Sequence, residues 1–151
     1  MVLAPVMWMM PSKAQKRQAL MRERARELGL AVNIVDLPQA HRAKVRKEPA
    51  SQGARYTLRI ARQKGQQRPR WFLWREHPSD EPDSGNAVPP AIAVELQALR
   101  DQMPADMVGL ESNEEGYSVY WRERGDRDAV DRIAALLGEA RILAGGELLG
   151  S

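Results

Sequence analysis

The 151-residue chain contains no cysteine. That absence excludes a disulfide framework, thiolate metal sites and cysteine nucleophiles, and it is compatible with a reducing compartment. Histidine is nearly absent too. His41 and His77 are the only two, and both lie in Pro- and Arg-rich surroundings that disfavour a bound cation. The acid groups Asp80, Glu81 and Asp83, and Glu111, Glu114 and Glu115, lack the ligand spacing and glycine of a calcium loop, so they read as solvated loop acids. Aromatic residues make up only 5%, and four of the eight are Trp, so the core must rest on Leu, Val, Ile, Ala and Met.

Nucleotide signatures are missing as well. Neither G-x-x-x-x-G-K-[ST] nor G-x-G-x-x-G occurs, and the one Lys-Gly pair, Lys64-Gly65, sits in a turn context. No G-x-S-x-G nucleophile elbow is present. No catalytic residue, cofactor or metal site is therefore expected, and the chain reads as non-enzymatic.

Met1 to Met10 carries no charged side chain and is mostly apolar. At about 1.5 Å per helical residue it reaches roughly half of a ~30 Å hydrocarbon core, so it cannot span one. It has neither the positive n-region nor the small-residue cleavage site of a secretory signal. Residues 1–11 are expected to form an apolar cap packed on the domain or the stub of a truncated membrane anchor. Trp8, beside the Pro-Ser-Lys boundary, suits a membrane interface.

What is abundant is charge, and its distribution is uneven. From Met1 to His77 there are 17 Lys and Arg against 5 Asp and Glu; from Pro78 to Ser151 the count is 6 against 15. Such a split points to different partners for the two halves, or to each other. The basic half suits phosphate, whether of an anionic membrane surface or of nucleic acid.

Directly after the apolar run, Ser12 is placed to cap a helix that Gly29 would stop. Leu20, Met21, Ala25 and Leu28 give it a narrow apolar stripe, and Lys13, Lys16, Arg17, Arg22, Arg24 and Arg26 occupy much of the rest. These six cations, with Trp8, are the expected membrane or phosphate contacts. The plain alternative is a solvated helix face.

Further on, residues 30–37 read as a buried strand ended by Pro38, and 39–54 as a basic loop. Residues 55–62 alternate, with Tyr56, Leu58 and Ile60 opposite Thr57 and Arg59, as a half-buried strand does. Residues 63–68 read as a hairpin turn into a partner strand over 69–77, where Trp71 and Leu73 oppose Phe72 and Trp74. Cations and rings interleave there, so Arg59, Arg70, Trp74 and Arg75 form an alternative nucleic-acid face; rings turned into the core are the competing reading. Residues 78–90 form an acidic Pro-rich linker. A helix over 91–102 carries Ile92, Leu96 and Leu99 at helical spacing, strands follow at 107–110 and 117–123, and Asp126 or Asp128 caps a last helix with Val130, Ile133, Ala134 and Leu137 on one stripe.

The order α-β-β-β-α-β-β-α with short connections predicts an α+β domain: an antiparallel sheet of about five strands with helices on one face. One domain is expected over 12–142, with a flexible tail at 143–151.

The segment VMWMMPSKAQKRQ resembles the membrane exit of the YajC-type accessory subunit of bacterial preprotein translocase, in which an apolar anchor runs into a Pro-Gln-Gln-Lys-Arg-like stretch. Pro11, Gln15, Lys16 and Arg17 carry the likeness, with Ser12-Lys13-Ala14 inserted. It covers about a dozen residues, and the family's small Gly-rich barrel with its Thr-Gly-Gly turn is not visible in Ala31 to Arg75. The resemblance implies an N-terminus outward, a single anchor and a cytoplasmic soluble part at the inner membrane. Together these features suggest a membrane-associated accessory or adaptor protein with a protein partner; the alternative is a nucleic-acid-binding module.

Overall fold

A computed structural model describes residues 10, 12–39, 41–61, 65, 68–76 and 88–149. The chain runs α1 (Lys13–Glu27), β1 (Ala31–Asp36), α2 (His41–Val45), β2 (Gln52–Arg59), β3 (Trp71–Trp74), a helical segment with α3 (Ala93–Ala98) at its centre, β4 (Met107–Ser112), β5 (Gly116–Trp121) and α4 (Arg127–Leu149). With the short α2 set aside, this is the expected α+β order.

The five strands form one antiparallel sheet in the order β1-β2-β5-β4-β3. Its helix-facing side carries Tyr56 from β2, Tyr117, Val119 and Trp121 from β5, Leu110 from β4, and Trp71 and Leu73 from β3. Against them pack Met21 and Ala25 of α1, Leu96 of α3, and Val130, Ile133, Leu136, Leu137 and Ala140 of α4. Rings supply part of the cohesion: Tyr56 meets Trp121 edge-on at 5.2 Å between centroids.

Four local expectations need correction. Residues 55–62 and 69–77 are not a hairpin pair. β2 lies between β1 and β5, whereas β3 lies at the far edge beside β4. The reason is β5, which is buried along its whole length and so takes the centre of the sheet, occupying the side of β2 that a hairpin partner would need. Second, β1 is an edge strand rather than a buried one; Asn33, Ile34 and Asp36 are exposed. Third, the loop over 39–54 holds α2, and β2 starts at Gln52. Fourth, α4 continues to Leu149 through the stretch expected as a loose tail. Ala144 is buried and Leu143 packs on the core, so apolar contact outweighs the weak helix propensity of glycine.

The helix over 91–102 is broken into 3-10, α and 3-10 pieces, with Ile92, Leu96 and Leu99 buried as the spacing predicts. The expected apolar cap at 1–11, turn at 63–68 and linker at 78–90 fall outside the described residues, apart from Met10, Gly65, Arg68 and residues 88–90. Among the described residues no helix is long and apolar enough to cross a membrane.

Candidate functional site

The basic helix α1 is set at both ends by local chemistry. Ser12 Oγ accepts from Gln15 N at 3.1 Å while Gln15 Oε1 accepts from Ser12 N at 2.8 Å, a reciprocal capping box. At the other end Gly29, at φ +82°, lets Leu30 N donate to Ala25 O at 2.9 Å and Gly29 N to Arg26 O at 3.0 Å. That Schellman turn sends the chain straight into β1.

Burial divides the helix's apolar stripe. Met21 and Ala25 are fully buried, whereas Leu20 is 53% exposed. The same division falls on the cations. Arg22 donates to Glu123 through Nε (2.9 Å) and Nη2 (2.7 Å), and Arg24 donates to Asp131 at 2.9 Å and to Glu27 at 3.2 Å. Lys13, Lys16, Arg17 and Arg26 stay exposed. Two of the six expected contacts thus hold α1 to its own domain, and four face solvent. Trp8 lies outside the described residues.

Glu123 is the residue that sequence reasoning missed. Expected only as the last residue of the 117–123 strand, it is 2% exposed and sits at φ +57° just past β5. Its carboxylate takes both guanidinium bonds from Arg22 and a third from Tyr56 Oη at 2.8 Å. The hydrogen bond to Glu123 outweighs partial burial and raises the Arg22 pKa further. Burial first, and then Glu123, push the Tyr56 phenol well above its ordinary range. α1, β2 and the end of β5 therefore meet at one charged, hydrogen-bonded point. No local signal in the sequence marks it.

The other face of the sheet carries the alternative residues. Phe72 and Trp74 project there from β3 and lean on each other at 4.6 Å, with Tyr120 5.9 Å from Phe72. Gly109 lies beneath the Phe72 ring, where a Cβ would collide with it. Beside them runs a polar chain: Tyr120 Oη donates to Glu111, Asn113 Nδ2 donates to Glu111 and to Ser118 Oγ, and Ser118 Oγ meets Thr57 Oγ1 at 2.8 Å.

The four alternative residues do not form one patch. Arg59 pairs in register with Gly116, and Trp74 with Gly109 three strands from β2, so the two side chains stand on the order of 20 Å apart. Arg59 and Arg70 are exposed. Arg75 donates to Glu76 at 3.3 Å, and Arg55 stands 3.8 Å from Glu115, so acids offset much of this face's positive charge.

Among the described residues no three His, Asp or Glu side chains converge as a cation site. No protein-family model, curated protein or solved structure matches the chain.

Proposed function

We propose that the protein is a non-enzymatic accessory domain that rests on an anionic membrane surface through the first two turns of α1. One observation carries this reading. Lys13, Lys16 and Arg17 stand exposed at the start of a firmly capped helix, directly after the uncharged stretch 1–11, and Leu20 is exposed a turn further on. The later cations Arg22 and Arg24 anchor the helix to the body, so the surface-seeking charge is concentrated at the N-terminal end. The cytoplasmic leaflet of the inner membrane is the surface that the charge suits, and the sheet-and-helix body is then free to meet a protein partner.

Each of the three cations contributes about 1 kcal/mol near an anionic leaflet. Replacing Lys13, Lys16 and Arg17 together with Gln should therefore weaken binding by roughly 100-fold. Flotation of the full chain with phosphatidylcholine vesicles, with and without phosphatidylglycerol, reads this directly. Equal recovery on both vesicle types, unchanged in the triple variant, would refute the proposal. Substitution is preferable to removing the helix, because Met21, Ala25 and Arg22 belong to the fold.

The sheet face supports a nucleic-acid reading less well. Its exposed arginines are dispersed, and its rings are half-buried against one another.

A further inference from the structure

The two edges of the sheet are treated differently. β3 is four residues long, follows Pro69 and is flanked by Arg70 and Arg75, which is how natural sheets discourage edge pairing. β1 is less protected: Pro38 follows it and Asp36 ends it, but its remaining positions carry no charge. It is six residues long, keeps an unbroken register with β2, and contains no Pro, Lys or Arg. Among the described strands only β2 pairs with it, so its outer side is a sheet edge.

The direction of its backbone groups follows from the ladder. Leu37 N donates to Ser51 O at 2.7 Å, continuing the register in which Asp36 faces Gln52. Hydrogen-bonding residues alternate in an antiparallel pair, so Asn33 and Val35 turn their N–H and C=O toward β2, while Val32, Ile34 and Asp36 turn theirs outward. The outward groups have no partner among the described residues. Ile34 also leaves its side chain 53% exposed on the helix-facing side of this edge.

We infer that β1 is the interface of a homodimer, in which two copies pair their β1 strands antiparallel about a two-fold axis at Ile34. That register is self-complementary. Ile34 faces its own copy, Val32 faces Asp36 in both directions, and all three outward residues find partners, giving about six backbone hydrogen bonds. A register centred on Asn33 or on Val35 leaves one of the three facing a residue outside the strand. The two Ile34 side chains meet across the axis, which removes an exposed β-branched residue from water. The axis stands perpendicular to the sheet, so the product is one continuous ten-stranded sheet with both α1 helices on the same side.

The test uses the full chain and its lack of cysteine. Sedimentation velocity should give a species of twice 17.0 kDa. Ile34→Pro should convert it to monomer with unchanged circular dichroism, because the N–H that proline removes serves no bond to β2. Ile34→Cys should be captured as a dimer by a short bis-maleimide crosslinker, since paired Cα atoms at this position lie about 5.5 Å apart. Val45→Cys, exposed but off the strand, should not. A chain that is monomeric at all concentrations, or a dimer that survives Ile34→Pro and fails to crosslink at position 34, overturns the assignment.

Discussion

Cutting the Arg22–Glu123 pair from its two sides should give unequal costs. Arg22→Ala strands a carboxylate that is 2% exposed, with the Tyr56 hydroxyl as its remaining side-chain donor. Removing one partner from a buried pair costs about 3–5 kcal/mol, and here the charge left behind is the deeply buried one. Glu123→Gln instead leaves a guanidinium whose side chain is 28% exposed and can turn to water, while the amide oxygen still accepts from Tyr56. That loss should be about 1–2 kcal/mol. The double variant should recover part of the Arg22→Ala cost, because no buried charge remains unpaired, and the cycle then reports a coupling larger than the Glu123→Gln loss itself, about 2–3 kcal/mol. Urea unfolding followed by tryptophan fluorescence suits the measurement, since Trp71 and Trp121 are buried. The midpoint should move at constant slope, and Arg22→Ala should lower the melting temperature by about 6–20 °C. If Arg22→Ala costs under ~1 kcal/mol, or no more than Glu123→Gln, the reasoning fails. Backbone strain gives a further check. Glu123 sits at φ +57°, so Glu123→Gly should lose less than Glu123→Ala, by about 1 kcal/mol.

Two further predictions concern the sheet. All three tyrosines are held above the usual phenol range, chiefly by burial, so an absorbance titration at 295 nm should show no ordinary transition near pH 10 in the folded protein. The unfolded chain then releases phenolic protons first, so their stabilisation is complete below about pH 9 and falls as pH rises beyond 10; a phenolate step near pH 10 with the fold intact would contradict the burial argument. At the β4–β5 turn, Gly116 has φ +151° and any Cβ there meets the Leu58 carbonyl, so Gly116→Ala should cost at least about 2 kcal/mol by urea midpoint, and a loss under ~0.5 would refute that contact.

Local chemistry was the legible part of this chain. The Ser12 cap and Gly29 stop were readable because each acts over three or four residues. So were the alternation of Trp71 and Leu73 against Phe72 and Trp74, the Ile92–Leu96–Leu99 spacing, and Asp126, whose carboxylate accepts from Ala129 N at 3.0 Å. Strand adjacency was not readable, because Lys64-Gly65 looks like a hairpin turn whether or not its flanks pair. The partner of β2 is set by β5, whose sequence GYSVYW mixes polar and aromatic residues and does not announce burial on both faces. The cations of α1 were visible as a set, but their division was not. Whether an arginine meets water or a buried acid depends on Glu123 and Asp131, which lie a hundred residues downstream in other elements.

The sheet order has a consequence for biosynthesis. β5 is the last strand made, yet it stands at the centre, with Ala54 of β2 on one side and Leu110 of β4 on the other. Until residues 116–121 leave the ribosome, the early β1–β2 pair has a bare inner edge and its Tyr56 face has no Trp121 to rest on. Nascent chains shorter than this carry two unsatisfied strand edges, which are templates for pairing with other chains. Closure depends on distant contacts and so comes late and together. Truncations that spare every N-terminal residue but remove β5 should therefore leave an aggregating fragment rather than a smaller domain.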